Sequence, residues 1–109
     1  RRRWGEGGDK RLKRGEEVVM QLYVQKPMLI ARRKFDIRAF CLIASVKPLL
    51  VLSFSDFYLR RSCQVYSPSD LTDRSSHLTN ICVQKHHYRF GEDNVWVKSQ
   101  FAKWLEGRS

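Results

Sequence analysis

The chain has little of several features on which common functions depend. It has three cysteines, Cys41, Cys63 and Cys82, without CxxC spacing, which argues against a disulfide framework and a zinc site. We expect each to be a small buried side chain in a reducing compartment. No run approaches the ~18 apolar residues of a membrane span. The sequence contains no GxxxxGK[ST], GxGxxG or nucleophile-elbow motif, which argues against the usual phosphate loops and serine hydrolases.

Acidic residues are also scarce, since 11 of them face 21 Lys and Arg in 109 residues, giving a net charge of +10. Such a chain attracts polyanions, namely nucleic acid, anionic lipid or acidic protein tails, and charge alone does not separate them. Residues 1–16 are rich in Gly and charge, and we predict a disordered basic arm there. Arg1 in place of Met and the stop at Ser109 indicate a piece of a longer protein.

The ordered part, residues 17–109, is predicted to be rich in β-structure. Pro48 and Ser55–Asp56 are typical of turns, and the apolar, β-branched and aromatic runs between such signals predict strands. We expect strands at 18–24, 35–45, 49–54 and 57–60, the last three forming an antiparallel meander. In the strand that starts at Phe35, the first residues are expected to line a site and the remainder to be buried.

One helix is predicted at the C-terminal end. Val97, Phe101, Trp104 and Leu105 recur at helical spacing within 95–105, and Asn94 is a candidate N-cap. Residues 67–76 have the composition of a loop. The fold class is therefore α+β, with antiparallel strands and a C-terminal helix. We expect an incomplete domain, because such a sheet leaves one face or edge to be covered from elsewhere.

Three short motifs carry polar groups suited to chemistry. Lys34, Asp36 and Arg38 alternate along one strand and share a face, which suits phosphate and hydroxyl contacts, although such a pattern alone more often marks a solvated strand face. In the second motif, only one of the adjacent pair Arg60 and Arg61 can share that face. The third, 77–80, supplies the hydroxyl of a Thr and the amide of an Asn, a combination that is also common in turns.

In combination, these motifs are more specific than any of them alone. The order along the chain is Gln21-Leu22-Tyr23-Val24, Lys26-Pro27-Met28-Leu29-Ile30, Arg33-Lys34-Phe35-Asp36-Ile37-Arg38, Tyr58-Leu59-Arg60, Ser76-His77-Leu78-Thr79-Asn80 and Val83-Gln84-Lys85. This succession, over residues 18–105, resembles the tubulin tyrosine ligase-like family, whose fold is ATP-grasp. Residues 17–109 would then be the central part of such a domain.

The resemblance implies a role for each matching residue. Backbone groups of a hinge at residues 21–24 would receive adenine. Lys34 and Asp36 would contact ATP, and Arg38 would lie beside the phosphates or an acyl-phosphate. Arg60 would hold the carboxylate of the incoming amino acid. The hinge would be Gln21, Leu22, Tyr23 and Val24, and the contacts to ATP near the metal would be Thr79 and Asn80. Leu22 departs from the basic residue that the family usually has in the hinge.

The family activates a carboxylate with ATP and magnesium and then joins it to an amino group. Its metal-binding Asp and Glu-x-Asn would lie beyond Ser109, so no metal ligand is assigned here, and the piece alone is expected to be inactive. The stretches 91–96, 100–101 and 26–30 resemble glycine-adding members more than glutamate-adding ones. The implied partners are tubulin or another acidic tail and free glycine or glutamate, with no nucleic acid or membrane. The implied location is the cytoplasm and cytoskeleton, including cilium or flagellum.

Two rival functions of other classes remain open. A nucleic-acid module would use the charge of +10 and the aromatic residues that lie between basic ones. A non-catalytic fragment would keep a basic groove for acidic tubulin tails without performing the ligation.

Overall fold

A computed structural model describes Gly15, Glu17 and residues 19–108. Four strands form one antiparallel sheet in which neighbours in sequence pair, and a C-terminal helix follows. The antiparallel sheet and the helix are as predicted, but the three strands expected at 35–45, 49–54 and 57–60 are only two. The strands are β1 (Leu29–Ile30), β2 (Arg33–Val46), β3 (Leu49–Arg61) and β4 (Val95–Val97). The helices are α1 (Arg74–His77), α2 (Ile81–Gln84) and α3 (Lys98–Glu106), with a 3₁₀ turn at Glu92–Asn94.

The centre of the sheet is one long hairpin made by β2 and β3. Its turn is at Lys47–Pro48, where the sequence predicts it. The second predicted turn, Ser55–Asp56, is wrong, because β3 continues through it. Ala39 pairs with Phe57 and Cys41 with Ser53, so β3 has two extra residues in this interval. The polar pair therefore lies in an irregularity of the ladder and not in a chain reversal.

The prediction that the far part of β2 is buried is also wrong. Every residue from 39 to 56 except Ser45 is exposed, a region called here the outer half of the hairpin. The cause is the short reach of the neighbouring elements. Strand β1 pairs only with Arg33 and Lys34, and β4 only with 58–60, so neither flanks the outer half. Cys41 lies there and is exposed, as is Cys82, so only Cys63 is buried as expected.

The small core lies where α3 packs on the inner half of the hairpin, which is residues 33–38 of β2 and 57–61 of β3. Phe101 of α3 is buried, and its ring centroid is 5.7 Å from that of Phe35 and 6.3 Å from that of Phe57. The buried apolar cluster is Ile30, Leu59 and Phe101, with Phe35, Phe57, Trp96 and Trp104 packed against it. Phe101 and Trp104 thus occupy the predicted apolar face, whereas Val97 and Leu105 are exposed.

The predicted start of the C-terminal helix is wrong by three residues. Residues 95–97 form β4 and pair with 58–60 of β3, because a β-branched and aromatic run satisfies its backbone groups on an available strand edge. The helix begins at Lys98, and the Gln100 side chain accepts a hydrogen bond from the Val97 amide, 2.9 Å away. Asn94 is not the cap; its Nδ2 donates to the Arg61 carbonyl at 3.0 Å.

The strand predicted at 18–24 is likewise absent from 19–24, which are irregular, and Val18 lies outside the described residues. The side chain of Leu22 is fully exposed. Residues 19–24 have the composition of a strand, but the edge of β2 at Arg33 and Lys34 is already paired with β1. The arm predicted at 1–16 also lies outside the described residues, apart from Gly15. Among the helices that the structure describes, none has the length and apolar character needed to cross a membrane.

Candidate functional site

Two of the predicted site residues, Asp36 and Arg60, form an ion pair across the centre of the sheet. They are direct partners in the β2–β3 register. The guanidinium donates from Nε to Oδ1 at 3.0 Å and from Nη2 to Oδ2. The Arg60 side chain is 11% exposed and that of Asp36 is 34% exposed. The hydrogen bonds that Arg60 donates to the carboxylate raise the pKa of Arg60, which stays charged.

The adjacent arginine, Arg61, faces the other side of the sheet, as strand alternation predicts. Its guanidinium lies 4.4 Å from the ring centroid of Trp96, and its Nη2 is 3.5 Å from a carboxylate oxygen of Asp93. Arg60 is therefore the arginine that shares a face with Lys34 and Asp36. Arg38 follows Asp36 by two residues, pairs with Tyr58 in the register, and is exposed.

Lys34 begins a second cluster, which joins β2 to the predicted hinge. Its Nζ donates to the Tyr23 hydroxyl at 3.2 Å and lies 4.7 Å from the centre of that ring. The Tyr23 hydroxyl is 2.6 Å from Nδ1 of His77, and Nε2 of His77 is 2.7 Å from the Asp70 carbonyl. Burial lowers the pKa of Lys34 and raises that of Tyr23. Desolvation therefore disfavours the charged form of both groups.

The hinge residues do not share one environment. Tyr23 is partly buried, whereas Gln21, Leu22 and Val24 are exposed. A second contact holds the segment, because the Tyr66 hydroxyl donates to the Gln25 carbonyl at 2.7 Å. The hinge is therefore fixed to the sheet and to the loop after β3 by tyrosine hydroxyls and not by a strand ladder.

The loop predicted at 67–76 is wrong in its last three residues, because α1 begins at Arg74. Asp73 caps that helix by accepting a hydrogen bond from the Ser75 amide at 2.9 Å. Beyond α1, Thr79 is buried and Asn80 is exposed at the start of α2.

The segment that carries Thr79 is held by a buried glutamine, for which the sequence suggested no role. Gln84 is 1% exposed, and its Oε1 accepts a hydrogen bond from the Cys63 amide at 2.7 Å. Its Nε2 donates to the carbonyls of Ser75, at 3.0 Å, and Leu78. Gln84 and His77 both lie in motifs noted in the sequence, but a motif does not reveal which side chain turns inward.

Magnesium, which the resemblance implies, has no site among the described residues. No three His, Cys, Asp or Glu side chains there lie close enough together to hold a metal ion. Asp36, the carboxylate among the predicted ATP contacts, is engaged by Arg60 through both of its oxygens. None of the described residues is therefore assigned to the metal.

Comparison with known families identifies the chain. Residues 7–107 match the family described as "Tubulin-tyrosine ligase family". Because this match spans most of the sequence, the chain belongs to the tubulin-tyrosine ligase family.

Similar curated proteins include members that add two different amino acids. The chain is 37% identical over 106 residues to the tubulin monoglycylase TTLL3 of Danio rerio, which covers 90% of this chain and 14% of that protein. It is 36% identical over 107 residues to the tubulin polyglutamylase TTLL6 of Homo sapiens, covering 92% and 12%. With tubulin glycylase 3D of Tetrahymena thermophila it shares 35% over 82 residues, covering 75% and 8%. The chain thus spans a small part of each relative's length.

Proposed function

We propose that this chain is part of an ATP-dependent ligase that attaches glycine to acidic tails of tubulin. The observation that carries the proposal is the Asp36–Arg60 pair, which stands on the sheet face that also bears Lys34. Family membership supports a ligase of this kind, and relatives of similar identity are tubulin glycylases and polyglutamylases. The ATP-grasp fold, with residues 17–109 as its central part, belongs to this proposal.

In the proposed complex, ATP lies along the inner half of β2. Backbone groups of the hinge, 21–24, receive adenine, and the Lys34 ammonium meets phosphate oxygens. Asp36 accepts from a hydroxyl of the nucleotide while it holds Arg60. The exposed Arg38, further along the same strand, lies beside the phosphates of ATP or the acyl-phosphate of the activated tail. Thr79 and Asn80 contact the nucleotide from the segment that Gln84 anchors.

Arg60 is the residue proposed to select the amino acid by its carboxylate. Its pair with Asp36 uses Nε and Nη2, so the N–H groups of Nη1 lie outside that pair. A guanidinium that is already fixed in orientation loses less entropy when it binds a second carboxylate. The local negative charge of Asp36 is also balanced, which lowers the repulsion that an incoming carboxylate would meet.

The proposed reaction has two steps. A carboxylate oxygen of the tail attacks the γ-phosphorus of ATP, which forms an acyl-phosphate and releases ADP. The amine of the amino acid then attacks the acyl carbon, forms an amide and releases phosphate. The residues named here supply positioning and charge neutralisation for these steps.

Glycine is the favoured amino acid because of the stretches 91–96, 100–101 and 26–30, which resemble the glycine-adding members. Glutamate is the alternative, since polyglutamylases match at the same level of identity. A protein with this activity would work on the cytoskeleton, including the microtubules of cilia or flagella.

The test is transfer of labelled amino acid to tubulin by the full-length protein. Tubulin is incubated with ATP and either labelled glycine or labelled glutamate, and the modified tails are identified by mass spectrometry. The proposal predicts incorporation of glycine that stops when ATP is omitted. Incorporation of glutamate alone would establish the alternative. Tubulin binding without incorporation of either amino acid would contradict a ligase and favour a non-catalytic tubulin-binding protein.

A further inference from the structure

The hydrogen bonds that link Lys34, Tyr23, His77 and Asp70 have one consistent direction. A carbonyl oxygen only accepts, so the contact between Nε2 of His77 and the Asp70 carbonyl requires the proton on Nε2. In the neutral imidazole, Nδ1 is then an acceptor, and the Tyr23 hydroxyl donates to it. The hydroxyl proton thus points away from Lys34, which leaves its oxygen to accept from the ammonium.

From this geometry we propose that His77 is a positioning residue for the nucleotide, acting through Tyr23 on both the hinge and Lys34. The inference rests on the function proposed above. His77 itself need not touch ATP. Its Nδ1 fixes the direction of the Tyr23 hydroxyl, and that hydroxyl fixes both the ammonium of Lys34 and the segment 21–24.

His77 has the rigidity that such a role requires. The side chain is 2% exposed, and its ring centroid lies 5.3 Å from that of Tyr66 and 5.6 Å from that of Tyr23, both in edge-to-face arrangements. The Asp70 carbonyl holds the far nitrogen. Because the ring is held on three sides, the lone pair of Nδ1 has a fixed direction. The Tyr23 hydroxyl that donates to it is therefore held in a fixed orientation.

The hinge depends on this contact because it has no strand partner. Residues 19–24 are irregular, and Tyr66 supplies further tethers, since its side chain hydrogen-bonds with that of Tyr23 and its hydroxyl donates to the Gln25 carbonyl. Without the acceptor at Nδ1, Tyr23 loses the bond in which its hydroxyl is the donor, and the direction of the hydroxyl proton is no longer set. Lys34 then keeps its charge but loses its fixed position, so nucleotide binding weakens while the fold persists.

Two substitutions at His77 separate positioning from packing. Asn places a side-chain oxygen at the position of Nδ1, so His77→Asn keeps the acceptor for Tyr23. Gln reaches the position of Nε2, so His77→Gln keeps the donor to Asp70 and loses the acceptor. The matched control is the same pair of substitutions at the exposed His86.

The measurement is the affinity of the full-length protein for a fluorescent ATP analogue, with thermal unfolding recorded in parallel. We expect His77→Gln and Tyr23→Phe each to weaken binding about tenfold, the size of one lost charge-assisted interaction, and the double variant to lose no more than either alone. His77→Asn should stay within about threefold of the wild type, and both His86 variants should match it. NMR of ¹⁵N-labelled protein should show Nδ1 of His77 unprotonated.

A purely structural role for His77 gives a different pattern. The Asn and Gln variants would then unfold at similarly lowered temperatures and bind the analogue with equal affinity. That affinity would either equal the wild-type value or be lowered in both variants by the same amount, in proportion to the lost stability. Either result overturns the inference. The Lys34→Ala variant separates a failure of this inference from a failure of the proposed function. If Lys34→Ala binds normally, the nucleotide site itself is wrong. If Lys34→Ala binds weakly and His77→Gln binds normally, only the role of His77 is wrong.

Discussion

Arg60 donates from two of its nitrogens to both carboxylate oxygens of Asp36, the residue directly opposite it in the sheet. Both side chains lie where two long central strands pair, so the backbone fixes their separation. A bidentate pair of this kind sets the plane of the guanidinium before any ligand arrives. The proposed amino-acid contact of Arg60 therefore depends on Asp36 as much as on the arginine itself.

Replacement of Arg60 by Lys keeps the charge but removes the planar fork. We expect Arg60→Lys in the full-length protein to raise the KM for the amino acid by at least about tenfold, because an ammonium cannot hold Asp36 and a second carboxylate in the same geometry. The affinity for ATP should change little. Initial rates at varied amino-acid concentration measure this, with the exposed Arg89→Lys as the control. A normal KM for Arg60→Lys would refute the assignment.

Gln84 ties three backbone segments together, and its removal should cost stability. Gln84→Met has nearly the same volume but leaves the Cys63 amide and the carbonyls of Ser75 and Leu78 without this partner. We expect the free energy of unfolding to fall by about 3 kcal/mol, since buried polar groups without partners are costly. Chemical denaturation measures the change. Lys85→Met, at an exposed neighbour, should stay within about 0.5 kcal/mol of the wild type. Equal effects of the two substitutions would contradict the anchoring role.

The turn between β1 and β2 places two ordinary residues in the left-handed region. Ala31 has a φ of 48° and Arg32 a φ of 62°, as a type I′ turn requires. Asn followed by Gly suits this geometry, so Ala31→Asn with Arg32→Gly should stabilise the protein by about 1 kcal/mol, after allowing for the entropy that glycine adds to the unfolded chain. Thermal and urea unfolding measure the change.

Introducing glycine into a helix is the control for this prediction, because it should change the stability in the opposite direction. Ala102→Gly, at an exposed position of α3, should destabilise the protein by about 1 kcal/mol. A loss of stability in the Asn-Gly variant would show that the turn does not have the described geometry.

The outer half of the hairpin should make the 109-residue chain self-associate. The large apolar side chains exposed there are Phe40, Leu42, Ile43, Val46, Leu49, Leu50, Val51, Leu52 and Phe54. An exposed apolar ribbon with open strand edges favours pairing with another chain. Leu42 and Leu52 are direct partners, so Leu42→Lys with Leu52→Glu exchanges an apolar pair for an ion pair.

Size-exclusion chromatography with light scattering tests this behaviour. We expect the wild-type chain to elute as multimers and the Lys–Glu variant to shift toward the monomer. The control is Leu105→Lys, which removes an exposed leucine from α3 and should leave the multimers unchanged. A monomeric wild type under the same conditions would contradict the prediction.

The alternation of residues predicted part of this structure, because strand geometry fixes side-chain direction locally. It predicted that only one of Arg60 and Arg61 shares the face of Asp36, and the register shows that this residue is Arg60. The C-terminal helix and its buried Phe101 also followed from local spacing. These features depend on residues a few positions apart, for which a periodic pattern is informative.

The errors arise where structure depends on distant partners. Strand composition predicted a strand through residues 19–24, but no described strand pairs with that segment, whereas Val95–Val97 found an edge on β3 and did not become helical. The same limit applies to the candidate site. Neither Gln84 nor the bond between Tyr23 and His77 could be predicted, because the residues that they join are far apart in sequence.

The central claim is that the inner half of β2 contacts ATP, and its most direct test is a nucleotide titration. A fluorescent ATP analogue is titrated into the full-length wild type, into Lys34→Ala and into Lys103→Ala, a control on the exposed surface of α3. The account predicts that Lys34→Ala binds at least about tenfold more weakly, while Lys103→Ala binds like the wild type. Equal affinities for all three proteins would contradict it.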